Sequence, residues 1–134
     1  SVPKYIVKNL RIKMKKKSIK FVGSKILIMG LTFKENCPDM RNSKVPIMID
    51  ILKKNGCNVD VFDPWINDNE NILGKKYNLQ KKLSSKNYDS IIIAVAHNIF
   101  KQFKIQKYLK LCKEKHVIYD LKHILPKKYV DLRL

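Results

Sequence analysis

The sequence predicts a small doubly wound α/β domain: a mainly parallel sheet, helices on both faces, and one further helix ahead of it. Three observations carry that expectation. Short apolar or β-branched runs (KILIM, VDVF, IIIAV and VIY) recur along the chain, and most are too uniformly apolar to have a solvent-facing side. Segments between them repeat their apolar residues at helical spacing. Polar residues then crowd the loops that follow the strands. Strands buried on both faces and separated by helices imply a parallel sheet. A chain of 134 residues with 45% hydrophobic content suits one domain with one such core.

In chain order, Val2 to Lys17 reads as a helix. Pro3 fits the first turn, Tyr5, Ile6, Leu10 and Met14 can share one face, and lysines crowd the far end. Ser18 to Ser24 reads as a connector, and Lys25–Gly30 as the first strand. Ser43 is placed to cap a helix that holds Pro46 in its first turn and runs to about Asn55, where Gly56 closes it. Val59–Phe62 is the second strand and ends in the turn pair Asp63-Pro64. A polar excursion over Asn67–Asn78 precedes a short helix near Leu79–Ser84. Ile91–Val95 is the third strand, Phe100–Lys113 a broken helix, and Val117–Asp120 the fourth strand.

Ligands of doubly wound sheets sit beyond the carboxyl ends of the strands, where the strand order reverses. Four loops reach that edge. They carry Thr32-Phe33-Lys34 with Asp39 and Arg41, then Asp63-Pro64-Trp65, Ala96-His97-Asn98, and Asp120-Leu121-Lys122.

Composition narrows the chemistry. The formal charge is +18, yet only Arg11, Arg41 and Arg133 are arginines. Base readout relies on arginine forks, and single-strand binders interleave aromatics with charge. Neither pattern is present, so a charge-driven nucleic-acid or polyanion-binding module is the alternative reading and not the leading one. No apolar run approaches the roughly eighteen residues of a membrane span. The first twenty residues carry no secretory signal pattern. Cys37, Cys57 and Cys112 form neither CxxC pairs nor an even disulfide set, as expected of reduced thiols in a cytoplasmic protein. His97, His116 and His123 lack metal-ligand spacing, so no metal is expected.

Within the first loop, Lys34 and Arg41 suit phosphate oxygens in charge and reach. Arg41 is the more telling, because this chain uses lysine nearly everywhere a bare charge would serve. The competing reading is an internal pair with Asp39 or Glu35 that only fixes the loop. Asp63 superficially resembles a ribose-binding acid. With Gly30 followed by Leu31, Thr32, Phe33 and Lys34, however, the GxGxxG loop of dinucleotide binders is absent, and Asp63 reads better as a turn former. Cys37 has no nearby histidine in sequence to serve as a base, so no catalytic residue is expected here. Phe33 and Trp65 could flank a flat base, but single aromatics more often pack.

The segments ILIMGLTFKENCPDMRNSKV, VDVFDPW, DSIIIAVAHNIF and VIYDLK occur in that order. They closely resemble the C-terminal, UDP-binding domain of the UDP-glucose/GDP-mannose dehydrogenase family, and most of all its members that oxidise UDP-N-acetylhexosamines for polysaccharide biosynthesis. The resemblance implies a Rossmann-like domain over residues 21–134. Residues 1–20 would be the end of the inter-domain helix and a connector. It implies that Phe33, Lys34 and Lys122 contact the UDP-sugar, although many relatives carry an arginine where Lys122 stands. Arg41 would reach across a cleft towards NAD, which is held mainly by a separate N-terminal NAD-binding domain. The complete enzyme would be a homodimer or larger.

The resemblance also places the dinucleotide loop and the nucleophilic cysteine outside this segment. The isolated chain is therefore expected to reduce no NAD with any UDP-hexose in a spectrophotometric assay. NADH production abolished by Cys37→Ser would overturn that expectation.

Overall fold

The computed structural model describes residues 1–67 and 76–134. Helix α1 (Val2–Lys16) starts where the Ser1 hydroxyl accepts the Lys4 N–H and Pro3 occupies the first turn. Lys13, Lys15 and Lys16 crowd its last turn, where the exposed carbonyls favour positive charge. Pro3, Ile6, Val7, Leu10 and Met14 form its buried stripe. Tyr5, expected on that face, is 56% exposed. At about 100° per residue it falls on the flank of the stripe, and Val7 takes the place expected of it.

Among the described residues, five strands form one sheet in the order β2-β1-β3-β4-β5, every neighbouring pair parallel. They are β1 (Lys25–Met29), β2 (Asn58–Phe62), β3 (Tyr88–Ile93), β4 (Cys112–Asp120) and β5 (Leu132–Arg133). The alternation of β1 shows why a continuous apolar run is needed. Ile26 and Ile28 join the core formed with α1 and with α2 (Val45–Lys54), while Leu27 and Met29 join the core on the other face. That second core is capped by Phe100 of α3 (Asn98–Gln102) and by Tyr108 and Leu111 of α4 (Ile105–Leu111). Each of the four β1 side chains is fully buried, which contributes about 1.5–3 kcal/mol apiece.

The expected doubly wound α/β sheet with helices on both faces is therefore present, with several local corrections. The helix expected near Leu79–Ser84 is absent; most of the polar excursion before it lies outside the described residues. Leu79 instead makes a parallel bridge to Val61 on the open edge of β2, with the Val61 N–H donating to Asn78 O at 3.2 Å and the Gln80 N–H to Val61 O at 2.8 Å. Edge pairing holds this stretch extended. Buried Asp60 reinforces it, accepting from the Asn78 side chain and, at 2.7 Å, from the Tyr88 hydroxyl.

Ser43 is not the cap of α2. Lys44 is, with no side-chain bond of its own, while the Ser43 hydroxyl donates to Leu31 O at 2.9 Å and accepts the Val45 N–H at 3.3 Å. The third strand begins and ends earlier than expected, and the helix before β4 stops at Leu111 rather than Lys113, because β4 starts at Cys112. Strand β5 is only two residues long and shows no periodicity that sequence could reveal.

Moving outward from β1 to β2 and then back to β3 on the other side puts the reversal between β1 and β3. The two chains nearly touch just beyond it. Gly30 has φ +101°, and a Cβ there would lie 2.5 Å from Val95 Cβ and 2.9 Å from Val95 N. Gly30→Ala is expected to cost about 2–4 kcal/mol in urea unfolding, summing positive-φ strain and overpacking. Gly23, at φ +82° with open space around it, supplies the comparison. Gly23→Ala should cost about 1 kcal/mol, from strain alone. Equal losses at both positions would show that the Val95 approach is unimportant.

Candidate functional site

The polar loop after β1 is folded back on itself and pinned to two other loops. Within it the Phe33 N–H donates to Asp39 O at 2.8 Å, and the Thr32 hydroxyl donates to Lys34 O at 2.9 Å. Asn36 and Asn42 adopt left-handed backbone angles, which asparagine tolerates better than most residues.

The pins converge on Asp63 and His97, which follow β2 and β3. Both side chains are fully buried. One Asp63 carboxylate oxygen, Oδ2, accepts the Leu31 N–H at 2.7 Å and the Thr32 N–H at 3.3 Å, and lies 3.0 Å from His97 Nε2. The other oxygen accepts the Trp65 N–H at 2.9 Å, so Asp63 also forms the expected turn. Burial alone would raise the Asp63 pKa, but the bonds from His97, Leu31 and Trp65 outweigh it and hold the carboxyl below its ordinary 3.8.

His97 completes the link. Its Nδ1 accepts the Asn36 N–H at 2.9 Å, so the ring proton sits on Nε2, facing Asp63 and, at 3.3 Å, the Thr32 hydroxyl. Phe100 meets the ring edge-on at 5.2 Å, and Trp65 lies 6.2 Å away on a tilted plane. Asn36 Oδ1 in turn accepts the Asn98 N–H at 2.9 Å. Sequence reading placed Asp63 and His97 on separate loops of the same edge but missed that they join Asn36 in one network. Chain order carries no trace of a bond between residues 61 positions apart.

A cleft of about 210 Å³ opens beside this network, lined by Thr32, Phe33, Leu121 and Lys122 of the strand-end loops, by the start of α2, and by Val2, Pro3 and Ile6 of α1 with Leu134. The structure thus brings Phe33 and Lys122 to one cavity, while Lys34 and Arg41 lie further round the loop, outside its lining. Phe33 is 54% exposed, and Trp65 is exposed as well, so neither is a core packing residue. Lys122 is oriented by Asp120, whose buried carboxylate accepts the Lys122 N–H at 3.1 Å and the Leu125 N–H at 2.8 Å. A larger depression of about 870 Å³ lies against Lys86, Lys110 and Cys112. It sits by the amino end of β4, away from the converging loops.

Arg41 grips Asp39 with Nε at 3.1 Å to Oδ1 and Nη2 at 3.1 Å to Oδ2, and its backbone N–H adds a third bond at 2.9 Å. Hydrogen bonding from Arg41 lowers the Asp39 pKa, and the same bond raises that of Arg41. The internal pair anticipated from sequence is therefore formed. Its arginine side chain is 88% exposed, and a fork so open to water adds little stability. Cys37, Cys57 and Cys112 are all free thiols, and Cys37 alone is partly exposed.

Residues 27–127 match the UDP-glucose/GDP-mannose dehydrogenase family, UDP binding domain. The chain is 42% identical over 132 residues to the UDP-N-acetyl-D-glucosamine 6-dehydrogenase of Salmonella typhi, covering 97% of this chain and 31% of that protein. It is 43% identical over 130 residues to the protein of the same description from Pseudomonas aeruginosa, with the same two coverages. It thus spans about a third of the curated relatives it matches. In fold it is similar to the NDP-N-acetyl-D-galactosaminuronic acid dehydrogenase of Methanosarcina mazei Go1, with a TM-score of 0.82 at 22% identity over 95% of this chain and 26% of that one.

Because the Asp63 pKa is depressed in the folded state, its contribution is present above the ordinary value near 3.8 and is lost as pH falls through the lower folded value. Asp63→Asn should lower unfolding free energy at neutral pH by about 2–4 kcal/mol, since buried N–H donors lose a charged acceptor. It should also flatten the loss of stability below about pH 4. Urea unfolding at several pH values checks both. An unchanged acid limb in the variant would move the acid sensitivity to another carboxylate.

Proposed function

This chain belongs to the UDP-glucose/GDP-mannose dehydrogenase family, and on that premise we propose that it holds the UDP portion of a UDP-N-acetylhexosamine for oxidation to the uronic acid by an NAD-dependent 6-dehydrogenase. The observation that carries this reading is the cleft itself. It opens at the carboxyl ends of parallel strands, beside the reversal between β1 and β3, with Phe33 and Lys122 on its walls. The exposed Phe33 ring offers a flat apolar surface for a base or sugar face, and Lys122 offers charge to a diphosphate.

Lys34, on the adjacent exposed turn, supplies a second ammonium to the same ligand. Arg41 is the cofactor-facing residue in this reading. Its guanidinium is largely exposed and held by Asp39, which supports a role in meeting a group on a second domain. Such an arginine would switch from one carboxylate to a shared position between carboxylate and phosphate. NAD and the oxidation chemistry belong to the NAD-binding domain of the complete enzyme. No residue of this chain is assigned a catalytic role, residues 1–20 serve as the end of the joining helix, and the assembled enzyme is a cytoplasmic homodimer or larger.

Calorimetric titration of the chain with UDP, inorganic polyphosphate and single-stranded nucleic acid at rising salt tests the reading. A UDP site keeps its preference for UDP as salt rises. Affinity that collapses equally for all three would instead identify a charge-driven polyanion binder. In the complete enzyme, Lys34→Ala should weaken UDP-sugar binding roughly ten- to a hundredfold, the loss of one charge-assisted hydrogen bond of about 1.5–3 kcal/mol. Arg41→Lys retains the charge but not the fork, and should raise the KM for NAD while sparing that for the UDP-sugar. Steady-state kinetics with each substrate varied in turn separates the two effects.

A further inference from the structure

We propose that His97 is the positioning residue of the nucleotide-sugar cleft, holding the Gly30–Ser43 loop in its binding conformation only while its imidazole is neutral. The cleft assignment is that of the preceding section; the coupling of His97 to the loop stands on the geometry alone. The ring is fully buried and is not part of the cleft lining, and among its described hydrogen-bonding partners Thr32 is the one that lines the cleft, so it acts through the loop and not on a ligand. Its two nitrogens perform opposite tasks. Nε2 donates towards Asp63 and Thr32, while Nδ1 accepts the Asn36 backbone N–H. The second task requires a lone pair on Nδ1. A proton placed there points at the Asn36 N–H, and two donors facing each other at 2.9 Å cannot coexist.

Among the described neighbours of the ring, none offers Nδ1 a second acceptor. Its hydrogen-bonded and aromatic neighbours are Asp63 after β2, Thr32 and Asn36 in the loop, Trp65, and Phe100 of α3; Asp63 is the ionisable one among them. The charged side chains further out are Lys34, Glu35, Asp39 and Arg41 of the loop and Lys101 of α3, all exposed or half-exposed. Asp63 already faces Nε2 and cannot turn to Nδ1 without abandoning the Leu31 and Thr32 N–H groups. Protonation therefore releases Asn36. The Asn36 side chain loses its hold on the Asn98 N–H with it, and the turn carrying Phe33 and Lys34 is freed on the side facing α3.

Two measurements on this chain test the proposal. Nuclear magnetic resonance of the ligand-free chain, titrated from about pH 8 to about pH 5, should show the Asn36 amide shifting with the same midpoint as the His97 ring nitrogens. An Asn36 amide that stays unmoved while the ring titrates overturns the proposal, and so does a ring that stays neutral over the whole range or is found protonated with the loop unchanged. Neither result depends on any ligand or variant, so the proposal is decided even if the chain fails to bind a nucleotide sugar.

The second measurement is affinity for UDP-N-acetylglucosamine, whose diphosphate diester does not change charge in this range, unlike the terminal phosphate of UDP, which titrates near pH 6. Binding should weaken about five- to tenfold across the same pH step in which the Asn36 amide moves. His97→Gln offers an acceptor and a donor at similar reach without titrating. It should bind within about threefold of wild type at neutral pH and lose the pH dependence. A wild-type slope retained in His97→Gln overturns the proposal. Absence of sugar-nucleotide binding in both proteins, with the Asn36 coupling intact, would sink the cleft assignment and leave the positioning role standing.

Discussion

The arrangement rests on one buried carboxylate. Asp63 collects the Leu31, Thr32 and Trp65 N–H groups and the His97 ring, so three loops from three strands share a single acceptor. Burying a charge is costly unless it is paired and hydrogen-bonded, and here both oxygens are engaged. Removing any one loop from this carboxylate would leave buried donors unmet. The strand-end edge is consequently held as a unit.

That carboxylate can do its work only because the strands approach so closely beyond the sheet. Gly30 leaves β1 with a backbone angle that side chains disfavour and passes within van der Waals reach of Val95. This turn aims the Leu31 and Thr32 N–H groups at Asp63 and sends the rest of the loop over the sheet edge. A side chain at residue 30 would push the β1 and β3 exits apart and open the cavity that Phe33 and Lys122 share.

Charge is layered around this frame. The interior satisfies its few ions internally: Asp63 with His97, Asp60 with Tyr88 and Asn78, and Asp120 with its own turn. The surface carries the lysine excess. Arg41 belongs to the surface layer, paired with Asp39 and open to water. A preset guanidinium of this kind loses little freedom on meeting an anion, whereas a free lysine would first have to be ordered.

Composition and periodicity by themselves determined the parallel sheet, the opening helix, expected over Val2–Lys17 and observed over Val2–Lys16, and the four loops that share an edge. These follow from local rules, because an apolar run buried on both faces has few other homes. The family was legible for a related reason, since its motifs are the loops on that edge. Tertiary structure alone decided the rest. Tyr5 lies outside the buried stripe, Leu79 pairs with an edge strand instead of entering a helix, and β5 forms from two residues. It also decided that Asp63 is more than a turn former and that His97, distant in sequence from both Asn36 and Asp63, joins them. Each of these outcomes depends on which segments become neighbours once the sheet has formed, and hydrogen bonds between such neighbours leave no periodic signature along the chain.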